Sequence, residues 1–509
     1  MSDFSSIKTA LISVSDKTGL IEFAQHLAAH NIIILSTGGT AKALQAAGIP
    51  ITLVADITGF PEMMEGRVKT LHPKIHGGIL GKRDQHAAEA KQYGIDWIDL
   101  VIVNLYPFAK TVQSEAPYHE IIDNIDIGGP AMIRAAAKNM QWVTVANDPE
   151  DYPIILAELN AHNGISLACR KKLAAKAFAH TAAYDALIAE YLNTDKFPSQ
   201  LSISFERQEV LRYGENPHQQ AALYTHSYKT KGLLAAKQLQ GKALSYNNIA
   251  DAEAALRCVQ EFDQPACVIV KHANPCGVST ADTIDRAFTQ AWQADSQSAF
   301  GGIVALNRAC TPKIAEFLKQ VFIEVIIAPG FDSDASDMLR AKPNYRLLAL
   351  PQMPSASKGL AYKCIEGGLL VQDSDYAVIE ADDLKCMTKR QPNAEQIKEL
   401  LFAWKVVKHL KSNAILITQA HTIVGMGCGQ VSRIDAVELA IKKAPNDLSA
   451  CVLASDGFLP FTDNVDAIAS AGIKAIIQPG GSIKDQDVID ACNEYGLVMV
   501  FTGIRCFNH

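Results

Sequence analysis

The residues in this sequence best suited to acid–base chemistry are Lys271 and His272, which follow the apolar run Cys267–Val270. The run predicts a buried strand, and ligands of α/β proteins gather outside the carboxyl ends of strands. A histidine there can accept a proton near neutral pH, while an adjacent ammonium would favour the neutral imidazole and stabilise developing negative charge. Pro275 and Gly277 then predict that the chain turns away from the strand. The pair is a candidate catalytic site, with a strand-capping lysine and a half-buried histidine as the alternative.

Two polar turns near the N-terminus have the composition of a phosphate site. Ser13–Lys17 follows the first predicted strand, and Ser36–Thr40, with two adjacent glycines, follows the second. Free backbone N–H groups, hydroxyls and helix dipoles at such turns can hold a phosphate. Glycine also closes ordinary tight turns, but two such turns on neighbouring strands favour phosphate binding.

A third segment, residues 67–76, is densely basic in an otherwise acidic protein. Arg67 and Lys69 alternate, so an extended backbone would project both to the same side, where they could share one anion. The alternative is a solvated basic loop, which is what most charge runs are.

Further polar residues lie at a predicted strand end and at a helix start. Tyr106 follows the strand Trp97–Val103, and Asp126 precedes two glycines and a proline that predict the start of a helix. Arg134 and Lys138 on that helix are four residues apart and share a face. Partial burial of Lys138 among the alanines before it would favour its neutral amine and suit it to proton transfer. An ordinary surface cation is the alternative.

The C-terminal half carries its polar residues in loops that follow apolar strands. These loops are residues 212–219, residues 430–433 together with Asn413, residues 456–464 and residues 480–482. Each loop alone could be structural, but their shared placement at strand ends predicts one large polar cleft.

Composition excludes several classes of function. The chain has 509 residues, 48% hydrophobic and 20% charged, which predicts roughly two to four domains with sizeable cores. A net charge of −7 provides no global basic field, so we expect neither nucleic acid nor a membrane as partner. We also expect no signal peptide and no membrane span. Eleven cysteines without a C-x-x-C pair favour buried thiols in a reducing cytoplasm over disulfides or cysteine-bound metal.

The order of predicted elements indicates an α/β fold. In the first 150 residues, strands (Thr9–Val14, Ile32–Leu35, Trp97–Val103, Trp142–Val145) alternate with helices (Gly19–His30, Ala41–Ala47), as in a mainly parallel sheet covered on both faces. A helical region, Leu167–Glu190, then leads into a predicted linker, Asn193–Ser204. Beyond the linker, an order of helix, strand, polar turn, helix and strand begins at Ala250 and again at Ala394. This repetition indicates a diverged internal duplication.

Ten motifs in the same order resemble the bifunctional purine-biosynthesis family that joins IMP cyclohydrolase to AICAR transformylase. They begin at Ser13 (SVSDKTG), Gly38 (GGTAK), Gly66 (GRVKTLHP), Asn104 (NLYPF), Asp126 (DIGG), Arg134 (RAAAKN), Arg212 (RYGENPHQ), Lys271 (KHANP), Ser298 (SAFGG) and Gln430 (QVSR). The resemblance implies a methylglyoxal-synthase-like parallel-sheet domain, residues 1–198, followed by a transformylase domain, residues 199–509. The second domain would contain two cytidine-deaminase-like α/β/α subdomains, roughly residues 199–390 and 391–509. It also implies a cytoplasmic homodimer.

The resemblance implies roles for residues of the transformylase, a transferase that uses 10-formyltetrahydrofolate as co-substrate and needs no metal. His272 would be the base and Lys271 the oxyanion stabiliser. The residues expected to bind AICAR are Arg212, Tyr213, Gly301, Glu324, Asn413, Arg433 and Arg505. Those expected near the folate are Ile434, Phe458, Asp463, Gly481 and Ser482.

The resemblance likewise implies the site of the cyclohydrolase, the hydrolase that closes formyl-AICAR to IMP. Proton transfer would fall on Lys138, with Lys69, Tyr106 and Asp126 beside the closing ring. The nucleotide would be held by Ser13, Ser15, Lys17, Ser36, Thr37, Gly38, Gly39, Thr40, Arg67, Thr70, Asn104, Ile127 and Gly128.

Two other functions compete with this one. The N-terminal domain could be a nucleotide-sensing regulatory module attached to a transformylase. The C-terminal half could be a zinc deaminase, which needs His-x-Glu and Pro-Cys-x-x-Cys. Here His272 lacks the glutamate two residues on, and Pro275-Cys276 lacks the second cysteine, so the sequence disfavours zinc.

Overall fold

The computed structural model describes residues 4–226, 231–353 and 359–509. Its internal contacts divide the chain into two units, one running to Glu206 and including His226, the other beginning at Arg207 and ending at His509. Residues 193–204, just before the boundary, contain no helix or strand. In the described ranges, no helix is both long enough and apolar enough to cross a membrane. All eleven cysteines lie in those ranges and are free thiols.

The N-terminal unit contains a five-stranded sheet. The strands of the whole unit are β1 Phe4–Ser5, β2 Thr9–Ser13, β3 Ile33–Ser36, β4 Thr52–Leu53, β5 Leu100–Val103, β6 Thr144–Ala146 and β7 Ile165–Ser166. Its helices are α1 Leu20–Ala29, α2 Gly38–Ala46, α3 Val54–Thr58, α4 Pro73–Leu80, α5 Ala87–Gln92, α6 Phe108–Gln113, α7 Tyr118–Asp123, α8 Gly128–Lys138, α9 Tyr152–His162 and α10 Leu167–Leu192. The sheet order is β4-β3-β2-β5-β6 with every pair parallel, and β1 pairs with β7 separately.

Both faces of this sheet are buried. Along β2, Ala10 and Ile12 belong to one hydrophobic cluster, and Leu11 belongs to the other. Alternate residues of a strand point to opposite faces, so an uninterrupted apolar strand is what a sheet covered on both sides requires. Because all five strands are parallel, their carboxyl ends and the polar loops that follow them meet at one edge.

The C-terminal unit contains one twelve-stranded sheet. The strands from Phe205 onward are β8 Phe205–Leu211, β9 Ala221–His226, β10 Lys237–Gln240, β11 Ala266–Lys271, β12 Asn274–Thr280, β13 Ile303–Leu306, β14 Val325–Ala328, β15 Arg346–Ala349, β16 Leu360–Ile365, β17 Gly368–Asp373, β18 Lys385–Cys386, β19 Ile415–Gln419, β20 Thr422–Gly427, β21 Val452–Ser455, β22 Ala475–Gln478 and β23 Val498–Phe501. Its helices are α11 Tyr246–Val259, α12 Ile284–Ala294, α13 Ser296–Ala299, α14 Pro312–Leu318, α15 Ser333–Leu339, α16 Ala394–Val407, α17 Arg433–Lys443, α18 Thr462–Ser470 and α19 Asp485–Glu494. Two hairpins, β8–β9 and β16–β17, form separate two-stranded sheets, and β8–β9 crosses the unit boundary.

The large sheet is built from two copies of one arrangement. Its order is β10-β15-β14-β13-β11-β12 followed by β20-β19-β21-β22-β23-β18, so the second half mirrors the first. Pairing senses also match: each half has an antiparallel hairpin, an antiparallel third strand, two parallel strands and an antiparallel edge strand. The halves join where Ser279 of β12 pairs with Thr422 of β20. The repeated order seen in the sequence is therefore present in the sheet.

The prediction that Pro275 and Gly277 turn the chain away from β11 is wrong. The chain reverses earlier, in a tight hairpin whose loop residues His272 and Ala273 have φ of 52° and 60°, as a two-residue hairpin with right-handed strand twist requires. Pro275 lies in the returning strand at a register irregularity, where a strand tolerates a residue without an N–H. Gly277 lies in the same strand, and this position requires glycine because α12 packs closely against it. A Cβ there would be 2.1 Å from the Ala291 carbonyl oxygen.

This close approach predicts a stability effect. Gly277→Ala would force backbone atoms of β12 and α12 apart, and we expect it to lower the free energy of unfolding by about 1–3 kcal/mol. Gly330→Ala is the matched control, because nothing lies within 4 Å of a Cβ at that position. Urea unfolding followed by circular dichroism measures both variants, and equal stability of the two would contradict the packing argument.

Candidate active sites

In the N-terminal unit, side chains clamp together the loops that follow three neighbouring strands. The Asn104 carboxamide, after β5, accepts the N–H groups of Ser15 and Asp16 at 2.6 and 3.0 Å and donates to the Asp16 carbonyl at 2.9 Å. The Thr40 hydroxyl both accepts from and donates to the backbone of Val14 at 3.0 Å. The Ser36 hydroxyl donates to the Ile12 carbonyl at 2.8 Å. Asn104, Ser36 and Thr40 therefore shape the predicted nucleotide site through backbone contacts, and Ser36 and Thr40 are themselves buried.

The start of α2 forms an anion site. The Glu62 carboxylate accepts hydrogen bonds from the Thr37 hydroxyl and from the Gly38 N–H, the latter at 3.1 Å. The Thr37 hydrogen bond is the main cause of a pKa of Glu62 below its ordinary value. The Lys69 ammonium is nearby, because a Cβ on Gly38 or on Gly66 would lie 3.5 Å from its Nζ. A carboxylate thus lies at the start of α2, where N–H groups without helical partners favour negative charge.

Asp126 lies beside α8 in an unusual electrostatic setting. Burial raises the pKa of its carboxyl, opposed by hydrogen bonds from the backbone of Gly129 and Tyr106 and by the Lys69 charge. The Gly129 N–H donates to Asp126 Oδ1 at 2.8 Å. The Tyr184 hydroxyl accepts the Asp126 N–H at 2.9 Å and fixes its backbone. Such a carboxylate holds a proton more readily than an exposed one and is suited to general acid–base chemistry.

Thr70 and Gly128, both predicted to contact the nucleotide, also lie together. A Cβ at Gly128 would be 3.0 Å from Thr70 Oγ1. Thr70 is buried, whereas the side chains of Tyr106 and Ile127 are 39% and 65% exposed. Ser13 and Ser15 are half-buried, and Lys17 and Gly39 are exposed. Thr70 lies in the segment before α4, and the other residues lie at or just after the ends of β2, β3 and β5 or at the start of α8.

Two expectations about cations in this unit are wrong. Arg67 is not in extended backbone beside Lys69: it follows a short 3₁₀ turn with φ of −65°, and its exposed side chain pairs with Asp123 of α7. Lys138 is exposed rather than half-buried, because Ala135–Ala137 point to the core and the next residue of a helix lies about 100° further round. Lys138 ends α8 while Gly128 begins it, so the two are separated by about 15 Å along the helix axis.

In the C-terminal unit, the structure places Lys271 and His272 at the β11–β12 turn. His272 is exposed at the turn. Lys271 Nζ donates to the Gly301 carbonyl at 2.9 Å, and Gly301 has φ of 67°. A Cβ at Gly301 would lie 3.1 Å from that ammonium, so glycine leaves the amine room. Lys271 and Gly301, both predicted site residues, are thus in direct contact.

Asn413 and Arg433 form a second cluster around a buried carboxylate. Arg433 donates to Asp456 Oδ1 at 2.5 Å and to Asn413 Oδ1 at 2.9 Å. The Ser412 hydroxyl donates to Asp456 Oδ2 at 2.5 Å. Asp456 is fully buried and Arg433 nearly so. Gly457 is required here, because a Cβ would lie 2.8 Å from the Arg433 guanidinium.

One side chain joins the two clusters. Asn274 Nδ2 donates to the His272 carbonyl at 3.0 Å, and Asn274 Oδ1 accepts the Lys411 N–H at 3.2 Å. Lys411 lies two residues before Asn413, which is hydrogen-bonded to Gln430. The His272 turn of the first repeat and the segment around Asn413 in the second repeat therefore meet at one edge of the sheet.

The other predicted residues lie in loops or, for Ile434 and Asp463, in the first turns of α17 and α18, and most have contacts of their own. Arg212 lies over the Tyr213 ring and Arg505 over the Phe507 ring. Glu324 pairs with Arg346 at 2.8 Å, Asp463 accepts from Asn464, Gly481 donates to Asp485, and Ser482 accepts from Lys484. Phe458 is 41% exposed and Ile434 half-buried. In the described part of the chain, no hydrogen bond or ion pair joins these residues to the Lys271–His272 turn.

Sequence reasoning missed Glu62, Tyr184 and Asp456, three residues that position predicted ones. Asp456 precedes Gly457 in a loop that the sequence singled out, so a buried partner for Arg433 could have been sought there. Tyr184 lies in the helical region near residue 180 with no local signal, since its contact with Asp126 joins residues 58 positions apart. Within the described ranges, no three His, Cys, Asp or Glu side chains are grouped as a metal site would require.

Comparisons with known proteins identify the family of this chain. The family described as AICARFT/IMPCHase bienzyme matches residues 136–443, and the MGS-like domain matches residues 19–131. The bifunctional purine biosynthesis protein PurH of Persephonella marina is 52% identical over 515 residues, covering 99% of this chain and 100% of that protein. The chain belongs to the AICARFT/IMPCHase bienzyme family.

A second PurH protein is similar to this chain over the same length. PurH of Bacillus subtilis is 50% identical over 510 residues, covering 99% of this chain and all of that protein. A crystal structure of ForH matches 37% of this chain and 100% of that one at 36% identity, but its TM-score of 0.33 supports no conclusion about the fold. The MGS-like match contains β3, β4 and β5 of the five-stranded parallel sheet, and the predicted fold class of the N-terminal unit is confirmed.

The setting of Asp126 predicts a pH-dependent stability. Because burial raises the pKa of Asp126, the folded protein binds this proton more tightly than the unfolded chain. Ionisation of Asp126 therefore lowers the free energy of unfolding as the pH rises from the carboxyl's pKa in the unfolded chain, about 3.9, through its higher pKa in the folded protein. We expect Asp126→Asn to unfold at a higher temperature than the unaltered protein near pH 8, with the difference shrinking toward about pH 4.

Thermal unfolding at a series of pH values measures this difference. Asp123→Asn is the control, because Asp123 is 56% exposed and pairs only at the surface. An Asp126→Asn protein that is less stable than the unaltered one across the whole pH range would contradict the burial argument.

Proposed function

We propose that this chain performs formyl transfer from 10-formyltetrahydrofolate to the 5-amino group of AICAR, and then dehydrative closure of formyl-AICAR to IMP. The observation that carries the proposal is the full-length match. About half of the residues are identical to proteins named bifunctional PurH across 99% of the chain, so both units are included. The chain is an enzyme with a transferase and a hydrolase activity.

Formyl transfer is assigned to the C-terminal unit. The amino nitrogen of AICAR attacks the formyl carbon, its proton passes to His272, and the carbonyl electron pair moves onto oxygen. The Lys271 ammonium, held by the Gly301 carbonyl, stabilises that oxyanion, a contribution worth several kcal/mol in a dry site. Collapse of the intermediate re-forms the carbonyl and expels the tetrahydrofolate nitrogen, which takes up a proton.

The cations of this unit divide into two groups in the proposal. Arg433 is neutralised by buried Asp456, which supports a role in orienting the Asn413 carboxamide toward AICAR. Arg212 and Arg505 are exposed, and in the described residues neither forms an ion pair. They are therefore proposed to meet the AICAR phosphate, while Phe458, with its exposed ring, would contact the folate.

Ring closure is assigned to the N-terminal unit. The carboxamide nitrogen attacks the tethered formyl carbon, and loss of water completes the ring. Because both groups belong to one molecule, positioning supplies much of the rate. Asp126 is suited to accept the nitrogen proton because burial raises its pKa, and Lys69 lies close enough to influence that carboxylate. The Thr37–Gly38 turn, now holding Glu62, is suited to the nucleotide phosphate.

Lys138 is the remaining proton-transfer candidate. Its separation from the start of α8 exceeds the length of a lysine side chain, so within one protomer it lies apart from Asp126. Lys138 can act in ring closure if the chain forms the proposed homodimer and the end of α8 in one protomer approaches the site of the other. We also propose the domain division near residues 198–206, a cytoplasmic location and chemistry without a metal.

A single assay tests the function. Purified protein is mixed with AICAR and 10-formyltetrahydrofolate, and tetrahydrofolate and IMP are followed together. Equal production of both supports the proposal. Tetrahydrofolate and formyl-AICAR without IMP would reduce the N-terminal unit to a binding module, and neither product from folded protein would contradict the assignment.

His272→Ala should separate the two activities. Loss of the base should lower formyl transfer by about 10²–10⁴-fold, while cyclisation of supplied formyl-AICAR stays unchanged because that site lies in the other unit. Equal loss of both activities would mean that the sites are not independent.

Lys69→Ala should have the opposite effect. Formyl-AICAR should accumulate, because the charge near Asp126 and the Thr37–Gly38 turn is gone while formyl transfer continues. Lys172→Ala is the control for loss of an exposed cation elsewhere in the unit. Unchanged IMP production by Lys69→Ala would remove Lys69 from the catalytic set.

A further inference from the structure

A carboxylate outside the predicted site holds the turn that carries Lys271 and His272. Asp251 lies on α11, the helix that precedes β11, and its Oδ1 accepts the Ala273 N–H at 2.8 Å. Asp251 is half-buried, whereas His272 in the turn is exposed. The contact joins the helix to the second residue of the two-residue loop.

This turn needs such a contact because of its backbone. His272 and Ala273 have φ of 52° and 60°, a left-handed conformation in which residues with a Cβ are strained. Such residues persist only where the surroundings hold them. Asn274 holds the His272 carbonyl from one side, and Asp251 holds the Ala273 N–H. Together they fix the direction in which the His272 side chain leaves the backbone.

The second repeat contains the same arrangement, a helix carboxylate bound to the second N–H of a left-handed loop, but it lacks the lysine–histidine pair. Glu399 on α16 accepts the His421 N–H at 2.8 Å, and the loop residues Ala420 and His421 have φ of 48° and 54°. The position of His272 is taken by Ala420 in that repeat, and the position of Lys271 by Gln419. Glu399 therefore serves a hairpin of the same form that carries neither predicted catalytic residue.

We propose that Asp251 is a positioning residue for formyl transfer, acting on His272 through the Ala273 N–H. The proposal rests on the proposed function of the C-terminal unit. The requirement is for a hydrogen-bond acceptor at Oδ1 rather than for a negative charge. Asparagine can supply the same acceptor from its side-chain carbonyl, and alanine cannot.

The experiment compares Asp251→Ala, Asp251→Asn and Glu399→Ala in the full-length protein. For Asp251→Ala we expect the kcat of formyl transfer to fall by about 10–100-fold, the effect of misplacing a catalytic group by about 1 Å. The KM for AICAR and the cyclisation of supplied formyl-AICAR should stay near their unaltered values. Asp251→Asn should retain most of the kcat, and Glu399→Ala should retain it as well.

Thermal unfolding shows whether each variant is folded. If Asp251→Ala does not fold, Asp251→Ala combined with Ala273→Gly replaces it, because glycine adopts the left-handed conformation without strain; that protein should fold and show the same fall in kcat. Full transformylase activity of folded Asp251→Ala would overturn the proposal. So would equal losses in Asp251→Ala and Glu399→Ala, or a loss in Asp251→Asn as large as that in Asp251→Ala. Failure of the proposed function is distinct, because the unaltered protein would then transfer no formyl group.

Discussion

The antiparallel contact between β12 and β20 determines which segments of the C-terminal unit lie beside the proposed formyl-transfer residues. Ser279, near the end of β12, pairs with Thr422, at the start of β20, and their hydroxyls lie 2.8 Å apart. In this antiparallel arrangement the turn of one hairpin lies beside the open end of the other. The His272 turn therefore meets the segment around Lys411, while the His421 turn meets Thr280 at the opposite edge. A duplicated fold thus yields two unlike edges, and only one carries Lys271 and His272.

Parallel pairing imposes a comparable constraint on the N-terminal unit. Carboxyl ends of parallel strands share one edge, so short loops from distant parts of the chain must pack against one another there. The Asn104 side chain accepts hydrogen bonds from backbone N–H groups of the loop after β2, and the Thr40 hydroxyl links that loop to α2. Residues that connect the loops by hydrogen bonds and residues available to a ligand are therefore neighbours. Some residues predicted to contact the ligand, such as Ser36, already use their side chains in hydrogen bonds to the protein backbone.

Much of this architecture could be predicted from the sequence, because apolar runs and helical periodicity are local signals. The strands at β2, β3, β5 and β11 and the repeated order of elements follow from such signals. The hairpin after Lys271 could not be predicted from them, because no glycine marks its left-handed residues; the strain is offset by Asp251, some twenty positions earlier. The role of Gly277 could not be predicted for a related reason: it is set by the close approach of α12. Lys138 shows the same limit, since its neighbours are buried while its own helix face is not.

Whether a cation can serve an anionic ligand depends on the carboxylate it already faces, which sequence alone does not give. The Arg67–Asp123 pair is 70% and 56% exposed, and surface pairs of this kind contribute about 0–1 kcal/mol. A phosphate could therefore replace Asp123 at small cost. The Arg433–Asp456 pair is buried at 7% and 0% exposure, and removing one partner would leave an uncompensated charge. Both arginines come from motifs of the same family, yet only Arg67 can exchange its carboxylate partner for an anionic ligand. Arg433 stays paired with Asp456 and holds Asn413 in place.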